Sequence, residues 1–246
     1  MVLISECFFR WQDMTSAIIV AAGKGTRMKS AAGVSKQYIE IMGKPVILRT
    51  IEKFTESEAV DEIVIVLMKD DEAYFRENIL SKVKSEKPVK IAYGGKERFE
   101  SSLNGIKASS QDSDTVLIHD GVRPFVKPSE IERVASRAKE TGAAVLAVKS
   151  KDTVKLVSDG MIESTPDRES VYLIQTPQGF SKKLLIDSYE DLLNSKEIFM
   201  PTDDASVVER FGARVSIVEG SYENIKITTV SDLAFAEAIL KTEAAI

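Results

Sequence analysis

Ser16-Ala-Ile-Ile-Val-Ala-Ala-Gly-Lys-Gly-Thr-Arg-Met28 is the stretch whose reading decides the fold. Its run of Ile and Val reads as a buried strand. The run breaks at Gly23 and Gly25, where the backbone can take angles closed to other residues. Lys24, Arg27, Lys29 and Lys36 follow. A strand, a glycine turn and then cations make a phosphate cradle in α/β proteins, because bare amides approach the anion while fixed charge waits nearby. Tight packing of a turn explains the same glycines, so the loop alone leaves both readings open. The spacing does not fit a Walker loop, and Met28 stands where a dinucleotide fingerprint has its third glycine. Lys24 and Arg27 inside the loop suit a nucleoside triphosphate better than the single pyrophosphate of a dinucleotide.

Outward from this loop the pattern alternates. Residues 62–68, 89–93, 115–119 and 143–148 read as strands. Helices are expected from Pro45 onward, over 71–83, 97–108 and 128–141. That order predicts an α/β fold with a doubly wound, mainly parallel sheet. Ligands in such sheets sit beyond the carboxyl ends of the strands, where the glycine loop, Gly94-Gly95 and His119-Asp120 all fall. The alternation fails over 150–172. There, 154–157, a turn at Ser158-Asp-Gly160 and 161–164 read as a polar, projecting β-hairpin arm with little core of its own. A second copy of the chain is its most economical partner. Gln175-Thr-Pro-Gln178 follows, then helices near 181–193 and 202–211, short strands at 215–219 and 225–228, and a closing helix from Ser231.

A chain of 246 residues with 43% apolar side chains can bury a sizeable core, and 15–246 reads as a single domain. Residues 1–14 look foreign to it and read as an extension, either disordered or from a misassigned start. The net charge of −5 argues against general nucleic-acid binding. No apolar run approaches the roughly 20 residues of a membrane span. Cys7 is the only cysteine, which removes intrachain disulfides and cysteine zinc sites and points to a reducing, cytoplasmic setting. His119 is the only histidine, so any Ser-His-Asp or Cys-His mechanism must pass through it. At a strand end it reads chiefly as a locally hydrogen-bonded side chain.

Asp120, ending a strand before Gly121, suits a metal or a ribose hydroxyl, and suits a turn equally well. Arg123 adds a cation to the same edge. Asp203-Asp204 reads as two acids in the first turn of a helix capped by Thr202. Arg168 and Lys226 read as solvated cations on their spacing alone.

Taken in order, Ala21–Met28, Lys36-Gln37, Gly94-Gly95 with Arg98 and Ser101, His119–Pro124, Asp152-Thr153, Gln175–Gln178, Thr202–Asp204 and Asn224–Lys226 resemble the 2-C-methyl-D-erythritol 4-phosphate cytidylyltransferases of the non-mevalonate isoprenoid pathway, from about Ser16 to Leu240. The resemblance implies a nucleotide-diphospho-sugar transferase-like variant of the Rossmann fold. It implies that Arg27 and Lys36 stabilise the transition state as a substrate phosphate attacks the α-phosphorus of CTP, with Ala21, Ala22, Gly23, Lys24 and Gly25 around the triphosphate. Gly95, Arg98 and Ser101 would serve the nucleotide, Gly95 and Ser101 facing the cytosine. Asp120, with Gly121, would serve the ribose and magnesium. Thr153, Arg168, Thr202 and Lys226, joined by Arg123 and Thr176, would bind methylerythritol phosphate, with Arg168 and Lys226 also in the catalytic set. The hairpin resembles the family's dimerisation arm, so a homodimer is implied. Ser35 stands where the family usually has Pro, beyond a longer loop over 30–34, and Lys96 where an acid is common. A cytidylyltransferase for ribitol 5-phosphate shares several of these motifs. A silent nucleotide-binding module would need neither Arg27 nor Lys36.

Overall fold

The computed structural model describes residues 14–23, 35–195 and 199–244. The candidate residues Lys24, Gly25 and Arg27, the longer loop over 30–34, and Cys7 lie outside them. In chain order the elements are β1 (Met14–Val20), β2 (Glu40–Ile41), β3 (Lys44–Pro45), α1 (Val46–Glu56), β4 (Glu62–Leu67), α2 (Glu72–Asn78), β5 (Val89–Tyr93), α3 (Arg98–Ala108), β6 (Ser113–Asp120), α4 (Pro128–Thr141), β7 (Ala143–Lys149), β8 (Leu156–Ser158), β9 (Met161–Ser164), β10 (Tyr172–Ser181), α5 (Lys182–Asn194), α6 (Asp204–Arg210), β11 (Ser216–Glu219) and α7 (Val230–Glu243). Met14, assigned from sequence to the extension, opens β1 and pairs with Ser113.

Seven strands form one sheet in the order β11-β7-β10-β6-β1-β4-β5. All neighbours run parallel except β10, which is antiparallel to both β6 and β7. The central strands β1, β4 and β6 are buried on both faces, and strand alternation sorts their side chains. Ala17, Ile19, Ile63, Ile65 and Leu67 pack with Ile47, Ile51 and Phe54 of α1 and Val134 of α4. Ile18, Val64 and Val66 face the other way, against Leu103 and Ile106 of α3 and Leu185 and Tyr189 of α5. Burying an Ile or Phe such as Ile51 or Phe54, both fully enclosed, contributes about 1.5–3 kcal/mol each. Gly105 lets α3 lie close on β1, since a Cβ there would stand 2.4 Å from Cγ2 of Ile18.

Two local expectations differ from the structure. The stretch 71–83 is not one helix: a 3-10 turn precedes α2, and a second follows once Ile79 leaves helical geometry at φ −115°. The stretch 225–228 is not a strand: its Ile227 amide donates to the Val122 carbonyl in the turn after β6 at 2.9 Å, and it joins no sheet. Gln175–Gln178, assigned to no element from sequence, is the middle of β10, where the register shifts between Ile174 and Gln178. Polar Gln side chains and a Pro hid a central strand, although Tyr172-Leu-Ile174 and Gly179-Phe180 flank it with apolar residues.

The hairpin forms as expected. β8 and β9 pair antiparallel through Asp159 and Gly160, both at positive φ (50° and 78°), the geometry of a two-residue hairpin turn. It is less polar than the sequence reading held: Leu156, Val157, Met161 and Ile162 are all exposed, Met161 at 73%.

Candidate active site

The chain leaves β1 toward β4 and β5 on one side and returns through β6 on the other. The connections after β1 and β6 therefore diverge, and a crevice opens between them. A cleft of about 320 Å³ occupies it, lined by Ala21, Ala22, Gly23, Lys36, Gly95, Arg98, Ser101, Asp120 and Lys226, among others. The three loops expected to converge do so. Backbone closeness needs glycine here: a Cβ on Gly94 would stand 2.3 Å from that of Ala22, and one on Gly121 would stand 3.1 Å from that of Ala21.

Asp120 is the electrostatic centre. Its carboxylate meets Lys226 Nζ at 2.8 Å, Arg98 Nη2 at 3.5 Å and Arg123 Nε at 3.5 Å. Burial alone would push its pKa up, but Arg98, Lys226 and Arg123 outweigh it and hold the carboxyl well below the usual range. Lys226 is thus a paired cation of the cleft, partly open to solvent: Ile227 beside it is fully buried, and the alternation aims Lys226 at the cleft. Arg123 supports Asp120 from outside the cleft lining and donates to the Asn224 carbonyl at 2.8 Å. Arg98 also donates to Asp204 at 2.6 Å, and Asp204 is fully buried.

His119 has the local role expected of it. The Thr176 hydroxyl, 3.1 Å from His119 Nδ1, also accepts from the Asp120 amide at 3.1 Å. That acceptance leaves the hydroxyl proton for Nδ1, so Nε2 carries the ring proton and donates to the Arg123 carbonyl at 3.0 Å. Burial pushes the imidazole down to about 4, so it is neutral at pH 7. Thr176 therefore fixes the Asp120 turn and does not line the cleft.

Lys36 lines the cleft from a 3-10 turn, Lys36–Tyr38. Gln37 donates to Asp71 at 3.3 Å, and Tyr38 packs edge-on against Tyr74 with ring centroids 5.0 Å apart, so neighbours on both sides hold that turn. The Ser101 hydroxyl accepts from the Gly95 amide at 3.1 Å, which fixes the glycine turn on α3.

Arg168, Thr153 and Thr202 do not line this cleft. Arg168 and Thr153 are exposed on the arm, where Arg168 Nη2 donates to Thr153 Oγ1 at 2.8 Å. Thr202 is exposed and is not the cap of α6. Asp203 is, accepting from the Ser206 amide at 2.9 Å. Sequence reasoning missed Gln175, Gln178, Tyr189 and the side-chain role of Asn224. Asn224 Nδ2 donates to Gln175 Oε1 and the Thr176 carbonyl at 3.2 and 3.0 Å, and Gln175 Nε2 donates to the Ser221 carbonyl at 2.9 Å. These bonds hold the segment carrying Lys226 against β10. The signal available was the pair of glutamines around Thr-Pro: two amide side chains inside a strand need buried partners.

Among the described residues no group of three or more His, Cys, Asp or Glu side chains is placed to hold a metal, and no helix is long and apolar enough to cross a membrane. A mainly parallel sheet with cations gathered around one carboxylate at its switch point is the arrangement of a nucleotidyltransferase. Residues 15–242 match the family 2-C-methyl-D-erythritol 4-phosphate cytidylyltransferase. The protein of that name from Clostridioides difficile is 47% identical over 94% of this chain and 95% of its own, and the one from Geobacter metallireducens is 43% identical over 92% and 97%. The crystal structure of 4-diphosphocytidyl-2C-methyl-D-erythritol synthase from Anaerococcus prevotii superposes with a TM-score of 0.83 at 40% identity, covering 93% of this chain and 96% of its own. The chain belongs to the 2-C-methyl-D-erythritol 4-phosphate cytidylyltransferase family.

Proposed function

We propose that this cleft joins CTP to 2-C-methyl-D-erythritol 4-phosphate, giving 4-diphosphocytidyl-2-C-methyl-D-erythritol and pyrophosphate. The observation that carries the reading is the ring of Arg98, Arg123 and Lys226 about the buried Asp120, facing Lys36 across the crevice. An oxygen of the acceptor phosphate bonds to the α-phosphorus of CTP. The bond from that phosphorus to the β-phosphate bridge breaks, and pyrophosphate leaves with the electron pair. A phosphate is already ionised near neutral pH, so no side chain has to be activated as nucleophile. A neutral, buried His119 accords with that. What the chain supplies is alignment and positive charge. Lys36 meets charge building on the α-phosphate, and Arg27 joins it there. Ala21, Ala22, Gly23, Lys24 and Gly25 cradle the triphosphate, and Gly95 and Ser101 meet the base. Lys226 meets the acceptor phosphate.

The donor set suits magnesium that arrives with the triphosphate, not one held in a protein cage: Asp120 offers one buried carboxylate at the cleft, and the nucleotide would supply the other oxygens. When bound, the ion neutralises the triphosphate and polarises its phosphorus. Arg168 and Thr153 lie on the arm, outside the cleft of their own subunit, so they serve a neighbour's cleft in a homodimer. Exposed Leu156, Val157, Met161 and Ile162 on an otherwise unsupported hairpin favour that assembly, as two strands alone are marginal in water. The enzyme works in the cytoplasm, in keeping with its single cysteine.

The test is pyrophosphate release from CTP and magnesium with either methylerythritol phosphate or ribitol 5-phosphate. Methylerythritol phosphate is the expected acceptor, and faster turnover with ribitol 5-phosphate would sink the assignment. Arg168→Lys should raise KM for methylerythritol phosphate several-fold more than KM for CTP, since Lys cannot grip a phosphate through two parallel bonds. Sedimentation should give a dimer at micromolar concentration.

A further inference from the structure

Asp204 has no part in the scheme above. From sequence it shares a capping role with Asp203, yet only Asp203 caps α6. Asp204 is fully buried, and each of its oxygens has a partner: Oδ2 accepts from Arg98 Nη1 at 2.6 Å, and Oδ1 from the Tyr189 hydroxyl at 2.5 Å. Its backbone is held as firmly. Gln178 Oε1 accepts from the amides of Asp204 and Ala205 at 3.1 and 3.0 Å, while Gln178 Nε2 donates to Asp203 at 2.7 Å. Gln178 is itself fully buried within β10, so the carboxylate stands on a mount fixed to the sheet.

Two carboxylates compete for the Arg98 guanidinium. Asp204 lies at 2.6 Å, and Asp120, on the cleft floor, at 3.5 Å. We propose that Asp204 is a positioning residue: it holds Arg98 at the nucleotide side of the cleft and keeps the guanidinium from closing onto Asp120. Without the Asp204 charge, Asp120 is the carboxylate left beside Arg98, and a tight Arg98–Asp120 pair would occupy the oxygens that face the ribose and displace the donors aimed at the nucleotide. Tyr189 restricts rotation of the Asp204 carboxylate, which keeps the Arg98 fork in one orientation.

The inference rests on the nucleotide-binding reading of Arg98, and the experiment separates the two. Steady-state kinetics, with CTP and methylerythritol phosphate varied separately, would be measured for Asp204→Asn, Arg98→Ala and the double variant. Asp204→Asn should raise KM for CTP about tenfold, the scale of one charge-assisted hydrogen bond, with kcat and the other KM within about threefold. Arg98→Ala should raise KM for CTP at least as much, and the double variant should be no worse than Arg98→Ala alone. A tenfold effect of Asp204→Asn that persists in the Arg98→Ala background overturns the positioning role, as does an unchanged KM for CTP in Asp204→Asn beside a raised one in Arg98→Ala. An unchanged KM in Arg98→Ala overturns the nucleotide role of Arg98, and the positioning role with it. If Asp204→Asn does not fold, Tyr189→Phe takes its place, with a rise of about threefold expected only when Arg98 is present. No rise would overturn the proposal.

Discussion

Arg98 and Arg168 are the same side chain placed in opposite surroundings. Arg98 sits at the start of α3 between two carboxylates, one fully buried, and is held before any ligand arrives. Arg168 stands on the exposed arm with a neutral threonine hydroxyl as the partner described for it. Near buried counterions the local dielectric is low, so position and charge are fixed together. On the arm, water screens the charge and entropy keeps the side chain loose. The cleft is thus organised in one subunit, whereas the arm gains a fixed geometry only against something else.

The largest expected effect strikes the cleft. Lys36→Ala should lower turnover by about 10²–10³ with KM for CTP changed only a few-fold, the loss expected when one charge aimed at the transition state is removed. Near-normal turnover would place the transition-state charge elsewhere. Next, Arg98→Ala should destabilise the fold by on the order of 3 kcal/mol, because Asp204 would be left buried without its cation. Arg168→Ala should cost under about 0.5 kcal/mol. Urea titrations of the two variants would erase the contrast if their losses proved equal.

An effect smaller than the loss of Arg98 bears on the same contrast through pH. His119 titrates near 6.5 unfolded and is pushed down to about 4 in the fold by burial, so between those values the unfolded chain binds the extra proton. Stability from this group is present above pH 6.5 and is lost as pH falls toward 4. The loss should reach about 2 kcal/mol between pH 7 and pH 5. His119→Gln should flatten that part of the profile, measured by urea unfolding at both values. An unchanged slope would mean that other groups carry it.

The sequence by itself determined the sheet, the direction of most of its strands and the edge where the cleft opens. Those features are written in local patterns: apolar runs 62–68 and 115–119, a glycine break after Val20, and Asp120 at a strand end. It also determined the arm, because Ser158-Asp-Gly160 is a turn whatever surrounds it, and it determined the family through the ordered motifs. What it did not contain was which polar residues are buried together. Lys226 reads as solvated, Asp204 as a cap, and Gln178 is assigned to no element, yet Asp120, Arg98, Asp204 and Gln178 form one continuous set of contacts drawn from β6, α3, α6 and β10. Residues up to 106 positions apart make it, as Arg98 and Asp204 do. No local period records a pairing at that distance. Only the sheet order, which sets the antiparallel β10 beside β6, excludes water from those groups and so decides which of their charges are fixed.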